Sequence, residues 1–296
     1  MTQCQNCLSE LKDHSEQKGV CGTCIKSANK LSEIRALGND VSIVIDRLSQ
    51  NFRAPQFKWD VCIGISGGVD SCMVATLAGE AGLRVKLVHF DNGWNSAEAN
   101  QNIFLLCQRY RFDLETHVMD WGVFRSLQRS FLMSSVPDIE LVTDHAIFAT
   151  MIKILARNDA PVFLSGGNFS TEHGLDLGDL VWNKLDFLNI YAINRAFEGT
   201  SLNKYPSAGP IRWAWYRFVS RSARIEMPLN WYWYKRNDAV KYMKDKFGFC
   251  DYGYKHEESI FTKVYQRTIL KNKFNCIKIL PHLNAQIRNQ EFSRDE

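Results

Sequence analysis

A six-residue segment, Ser66-Gly67-Gly68-Val69-Asp70-Ser71, closes an apolar, β-branched run (Asp60 to Ile65) and opens a helical stretch. Adjacent glycines can take positive φ and bring the backbone close to an anion. The helix start adds unpaired N–H groups and the positive end of its dipole. Ser66 and Ser71 contribute hydroxyl donors, so the segment reads as a cradle for phosphate. Asp70 would repel a phosphate unless a cation lay between them, which points to Mg²⁺. No Gly-Lys-Ser/Thr follows, so this is not a Walker A loop, nor does it have Gly-x-Gly-x-x-Gly spacing. The plainer alternative is a tight strand-to-helix turn capped by serines. A second Ser165-Gly166-Gly167 ends the apolar run Pro161 to Leu164.

Four of the nine cysteines form two Cys-x-x-Cys pairs, Cys4/Cys7 and Cys21/Cys24, separated by 13 residues. Two such knuckles place four thiolates tetrahedrally around Zn²⁺, and a filled set has no open position, so the site reads as structural. Bound zinc can contribute about 10–16 kcal/mol to a segment with almost no core. A redox or sulfur-carrying pair is the rival use. His14, between the knuckles, reads as a loop residue. Cys62, Cys72, Cys107, Cys250 and Cys276 are isolated and read as buried or incidental. An odd cysteine count and a polar N-terminus without an apolar export core favour reduced thiols and a cytoplasmic protein.

These groups need elements to hold them. The chain has 296 residues, 45% hydrophobic and 23% charged, which excludes a disordered tail or a disulfide miniprotein. The net charge of +4 is too small to argue for a nucleic-acid partner. Apolar runs at Asp60 to Ile65, Arg84 to Phe90, Leu114 to Met119 and Pro161 to Leu164 read as strands. Between them, helical stretches are predicted at Ser96 to Tyr110, with Ser96 as N-cap, at Gly122 to Met133 and at Asp144 to Arg157. Alternation of this kind implies a parallel sheet with helices on both faces, its ligands beyond the strands' carboxyl ends. The predicted organisation is a four-cysteine module (1–29), a linking helical segment (30–58) broken near Gly38, an α/β domain (59–175) and a mainly helical C-terminal region (176–296). Residues 176–226 resist assignment, and helices are predicted at Asp238 to Phe247 and Glu257 to Lys271.

Ser-Gly-Gly-Val-Asp-Ser after a strand resembles the signature of the PP-loop ATP pyrophosphatase superfamily, with its adenine nucleotide alpha hydrolase-like fold. His89-Phe90-Asp91-Asn92-Gly93-Trp94-Asn95 is similar to a segment of WbpG-like N-acetyl sugar amidotransferases. So are Val136 to Glu140 with Thr143 to Ile147, Ser165 to Glu172, and Asp251 to Ser259 with Phe261-Thr262. The likeness extends from the N-terminal cysteines to about Phe274. Beyond it the chain departs from the basic, histidine-containing helical tail expected of relatives.

The resemblance implies an AMP-forming enzyme that turns the acetamido group of a nucleotide-linked sugar into an acetamidino group for O-antigen or related surface polysaccharides. It implies ATP and Mg²⁺ at Ser66, Gly67, Gly68, Val69, Asp70 and Ser71, with Phe90, Gly166, Gly167 and Asn168 completing the nucleotide site. Asp70, Asp91, Asp144, His145 and Glu172 are the expected catalytic groups. Asn92, Trp94, Asp138, Lys255 and Glu257 are the expected substrate contacts. Each has a simpler use: Asp91-Asn92-Gly93 is an ordinary turn sequence, Asp144 an ordinary N-cap, and His145 an ordinary buried histidine. Ammonia is expected from a separate glutamine amidotransferase pair, similar to the two subunits of imidazole glycerol phosphate synthase.

Trp213 to Phe218 and Trp231 to Tyr234 flank Arg217, Arg221, Arg224, Lys235 and Arg236. Aromatics among arginines suit a uracil or sugar ring and a diphosphate. They suit a peripheral membrane face equally, and core packing of a C-terminal subdomain is the plain reading. The rival function is a PP-loop tRNA thiolase with a zinc module, although Cys107 stands alone where a Cys-x-x-Cys would be wanted. A degenerate nucleotide-binding scaffold is the non-enzymatic rival.

Overall fold

Short runs of Val, Ile, Leu and Phe that end at small or polar residues form the strands of one sheet. The structure, a computed structural model, describes residues 3–11, 19–157, 159–172, 183–209, 224–253 and 258–294. The strands are β1 (Val61–Gly64), β2 (Val85–Asp91), β3 (Asp113–Val118), β4 (Val162–Leu164) and β5 (Arg224–Glu226), in the order β3-β2-β1-β4-β5. Every pairing is parallel. The chain steps outward from β1 to β3, then crosses back to lay β4 on the other side of β1. That reversal opens a crevice beyond the carboxyl ends of β1 and β4.

Side chains alternate across the pleat, and the two faces bury different sets. Val61, Ile63, Val85, Leu87 and Leu164 pack with α2 (Ser42–Asn51), α3 (Val69–Glu80) and α4 (Ala97–Tyr110). Cys62, Val88 and Phe163 face α6 (Leu141–Leu155), which follows α5 (Trp121–Ser134). Ser96 caps α4 as its sequence predicts, its Oγ accepting from the Ala99 N–H at 3.1 Å. β5 lies in the stretch that resists assignment. With three residues it is too short to show alternation, and its register comes from pairing with β4.

The N-terminal boundary differs from the expected one. Helix α1 (Gly22–Ala36) starts within the cysteine segment, with Cys21 as N-cap, and runs through position 29 into the linking segment. It stops before Gly38, whose φ of +75° only glycine adopts freely. After α7 (Phe169–Glu172) and α8 (Phe187–Phe197), the C-terminal region comprises α9 (Arg236–Phe247), α10 (Ile260–Val264), a π-helical turn (Tyr265–Ile269), α11 (Leu270–Phe274) and α12 (Ile279–Arg288).

The divergent tail after Phe274 is built into this frame. Asn284 on α12 accepts from the Leu8 N–H at 2.7 Å and donates to Ser9 Oγ at 3.0 Å, holding the cysteine segment. Asn289, fully buried, accepts from Trp233 Nε1 and donates to the Tyr234 carbonyl at 2.8 Å. Of the aromatic stretch, Tyr232 and Tyr234 pack in the main core, while Trp213 to Phe218, Arg217 and Arg221 lie outside the described residues. Among the described residues, no helix is long and apolar enough to cross a membrane.

Asp60 braces the loop that enters β1. It is 2% exposed and accepts from the Ala54 and Arg84 backbone N–H groups, both at 2.8 Å, and from the Arg84 guanidinium at 2.7 Å. Burial alone would raise its carboxyl, but these donors hold it below the ordinary value. Its stabilisation is therefore full above the unfolded carboxylate range and lost as pH falls through the lowered native value. Asp60→Ala strips the acceptor from two backbone donors and should cost about 3 kcal/mol at pH 7 in urea unfolding. The difference between wild type and variant should shrink as the pH falls below about 4.

Candidate active site

The first Ser-Gly-Gly loop is shaped by contacts that leave no room for larger residues. Gly67 has φ of +80°, and a Cβ there would stand 2.3 Å from the Ala99 carbonyl oxygen. Ser71 Oγ accepts from the Ser66 N–H at 3.2 Å and donates to the Gly68 carbonyl at 3.1 Å. The Val69 N–H donates to the Tyr252 hydroxyl at 3.1 Å. The second loop lies directly on the first: a Cβ on Gly166 would meet Ser71 N at 3.0 Å and the Asp70 carbonyl carbon at 3.1 Å. Two loops separated by 99 positions thus meet backbone to backbone at the crevice between β1 and β4.

Two cavities join there. One, of about 350 Å³, is lined by Val69, Asp70, Glu172, Arg236, Tyr252 and Glu258 together with Ser66, Gly68, Ser71 and Gly166. Asp70 accepts from the hydroxyl of buried Tyr234 at 2.5 Å. The Arg236 side chain, 10% exposed, reaches this wall while donating to the Gly253 carbonyl and lying 3.4 Å from Asp251. Three carboxylates around a phosphate loop would repel a polyphosphate on its own. The donor set fits a divalent cation carried in with the phosphates, held by hard oxygen ligands.

The other cavity, of about 400 Å³, shares Ser66, Ser71, Ile147, Ser165, Gly166 and Glu258 with the first and extends past Phe90, Asn92 and Trp94. Trp94 stacks on Phe261, ring centroids 4.0 Å apart, giving this end an apolar wall. The wall is pinned by backbone bonds between distant blocks: the Ile260 N–H donates to the Trp94 carbonyl at 2.8 Å, and the Ser96 N–H to the Glu258 carbonyl at 2.7 Å. Asp144 opens on the cavity. Burial raises its carboxyl above the ordinary range although Lys184 Nζ is 3.0 Å away. Glu140 beside it is held below its ordinary value, because Lys278 from the tail, with help from Lys184 and Thr262, outweighs its burial; Gln266 also donates to it at 3.2 Å. The two carboxyls are thus pushed apart, one toward proton acceptance and one toward permanent charge.

Other expected residues are used differently. His145 is fully buried: its Nδ1 lies 2.9 Å from the Lys184 carbonyl, its Nε2 accepts from the Ala208 N–H at 3.2 Å, and neither cavity touches it. Both its nitrogens are engaged, burial lowers its pKa, and one of its bonds fixes the Lys184 backbone. Asp91 turns into its own loop, accepting from the Gly93 N–H at 2.8 Å, and lines neither cavity. Asn168 caps Thr171 at 2.8 Å and donates to the Gly166 carbonyl at 3.3 Å, so it shapes the second loop from behind. Asp138 grips Lys184 at 2.7 Å, and Gly67 and Gly167 act through the backbone. Lys255 and Glu257 lie outside the described residues. Gln128 reaches the larger of the two cavities without any local signal in the sequence, and Glu140 and Tyr252, which lie in blocks read only as resemblance, reach the cavities through packing of distant segments.

The four cysteines converge as their spacing predicts. Their sulfurs all lie within 4.8 Å of one another, with Cys7–Cys21 at 3.7 Å and Cys4–Cys24 at 3.9 Å. A tetrahedral ion with bonds near 2.3 Å needs sulfur–sulfur edges of about 3.8 Å. The set fits one ion; a cluster whose thiolates sit on separate metals needs them farther apart. Of the remaining five cysteines none lines either cavity, and burial raises Cys62 to about 12.

Residues 60–174 match the model of the family described as "Queuosine biosynthesis protein QueC". No curated protein matches the sequence. Similar solved structures include NMN synthetase from Francisella tularensis (13% identity, 61% of this chain and 92% of that one, TM-score 0.36). NH3-dependent NAD synthetase from Campylobacter jejuni shares 17% identity over 57% of this chain and 72% of that one, TM-score 0.33. The U34-tRNA thiolase NcsA from Methanococcus maripaludis, with its [4Fe-4S] cluster, shares 14% over 96% and 88%, TM-score 0.38. All three superpose loosely.

Because Gly166 touches Ser71 through backbone alone, Gly166→Ala should displace the phosphate loop without unfolding the sheet. Titration calorimetry should then show ATP affinity reduced by about 100-fold, with near-native circular dichroism. Unchanged affinity would remove the second loop from the nucleotide site.

Proposed function

We infer that the protein is an ATP-dependent, AMP-forming amidotransferase that converts the acetamido group of a nucleotide-linked sugar to an acetamidino group. The observation that carries this reading is the junction of the two cavities at Ser66, Ser71 and Gly166. It supports a phosphate site and an acceptor site meeting at one point, with Asp144 on the acceptor side.

An amide carbonyl is a poor electrophile, and ammonia does not displace its oxygen at neutral pH. Attack of the amide oxygen on the α-phosphorus expels pyrophosphate and leaves an O-adenylated imidate. Ammonia adds at carbon, a proton is lost, and AMP departs. Mg²⁺, when bound with the phosphates, neutralises charge on the departing pyrophosphate. In this reading Ser66, Ser71 and the loop backbone orient the phosphates, and Arg236 balances their charge. Asp144, its carboxyl raised by burial, takes the proton lost from the amide nitrogen. Trp94 and Asn92 flank the sugar.

Ammonia comes from a separate glutaminase, and the four cysteines hold zinc as a closed structural site. The positions of the five other cysteines, off both cavities, weigh against a thiolase that uses a cysteine pair in its α/β domain.

Incubation with ATP, Mg²⁺, ammonium and UDP-N-acetyl sugars should yield AMP and a product in which mass spectrometry finds oxygen replaced by NH. Glutamine should not substitute for ammonium unless a glutaminase is added. ADP as the nucleotide product would sink the reading. The base works only when ionised, so kcat/KM should climb as pH rises through the raised Asp144 value. Asp144→Asn should remove that limb and slow turnover by about 10²- to 10⁴-fold. Metal analysis should return one zinc per chain without acid-labile sulfide, and stripping it should lower the Tm.

A further inference from the structure

Gln128 occupies a position where an apolar residue would pack better. It lies on the inward stripe of α5 with Phe124, Leu127 and Phe131, all fully or almost fully buried. It is itself 4% exposed, and neither its Oε1 nor its Nε2 has a hydrogen-bond partner. Buried amides are paired as a rule, and an orphaned one calls for a specific reason. Here the reason is at hand, because Gln128 lines the larger of the two cavities, which also reaches Ser66 and Ser71 of the first Ser-Gly-Gly loop.

The polar neighbours define what could satisfy it. Glu140 is engaged by Lys278 and Gln266, and Asp144 by Lys184. Neither reaches Gln128. An anionic ligand group would face these two carboxylates and be repelled. A cation would leave the Nε2 donors unanswered. The complement of a carboxamide is a neutral group that presents an N–H with an oxygen near it, and the amide of an N-acyl amine is such a group.

We propose that Gln128 is the specificity contact for the acceptor's amide group, its Oε1 accepting from the amide N–H and its Nε2 donating to an oxygen of the same acceptor. This rests on the acetamido reading given above and names the side chain that recognises that group. Contact of this kind separates an N-acetyl sugar from the same sugar bearing a hydroxyl, since the wrong acceptor leaves a buried amide unpaired. Gln128 takes no part in proton transfer, for an amide does not titrate in this range.

The direct readout is the Gln128 side-chain NH₂ resonance in ¹H–¹⁵N spectra, assigned by its loss in Gln128→Leu. Addition of UDP-N-acetylglucosamine or UDP-N-acetylgalactosamine, with a non-hydrolysable ATP analogue present, should shift it. UDP-glucose and UDP-galactose should not. Gln128→Leu, which removes an unpaired amide from an apolar stripe, should raise the Tm of the ligand-free protein. It should also raise KM for the N-acetyl acceptor, lowering kcat/KM by about 10- to 100-fold with kcat largely retained. No resonance shift with any of these nucleotides, or an equal shift with and without the acetamido group, overturns the proposal. So does a Gln128→Leu enzyme that keeps wild-type KM and wild-type discrimination. A selective shift in a wild-type protein that makes no amidine keeps the contact and removes the reaction. Amidine formation untouched by Gln128→Leu keeps the reaction and removes the contact.

Discussion

The site depends on two close backbone approaches, each possible because one of the two partners is a glycine. Gly166 sits against Ser71 N and the Asp70 carbonyl carbon at distances a Cβ could barely share, and Gly67 sits against the Ala99 carbonyl where a Cβ could not exist. The Gly166 contact exists because β4 returns to the side of β1 opposite β2, which brings both loop-ending strands to one crevice. Strand order, loop chemistry and cavity position are therefore one constraint. The second loop is a wall of the first, and Asn168 and Thr171 set its shape from behind.

Around that contact the charge is distributed unevenly, and the unevenness has a chemical use. The smaller cavity gathers Asp70, Glu172 and Glu258 against Arg236, a donor set that would suit phosphates arriving with a divalent cation. The other cavity separates two neighbouring carboxyls by giving each a different environment. Glu140 has Lys278 and Gln266 and stays charged. Asp144 shares Lys184 with Asp138 and loses more to burial than it recovers. His145 contributes by fixing the Lys184 backbone, a structural use of a residue whose type suggests catalysis.

The C-terminal segment ties the two ends of the molecule together. From the cysteine segment, polar contacts run through Asn284 to α12 and from Asn289 to the Tyr234 backbone, and the Tyr234 hydroxyl reaches Asp70 on the phosphate loop. The same segment supplies Lys278 to Glu140. The stretch beyond the family resemblance thus touches the cysteine segment, the first Ser-Gly-Gly loop through Tyr234, and Glu140 on the larger of the two cavities.

From residue order alone the two glycine loops, the cluster of four thiols, four of the five strands and the parallel α/β character were legible. Each is a local signal: spacing for the cysteines, adjacent glycines for the loops, short β-branched runs for strands that pair with their neighbours. What the fold alone decided is which chemically suggestive side chains face a ligand. Asp91 and His145 turned away from the cavities because a nearby backbone donor or acceptor satisfies them at close to ideal distance, and no periodicity reveals that. Gln128 and Arg236 came to the cavities through helix packing between segments far apart in the chain, and β5 through pairing rather than through any pattern of its own. Side-chain direction is set by long-range packing, which residue spacing within one element does not encode.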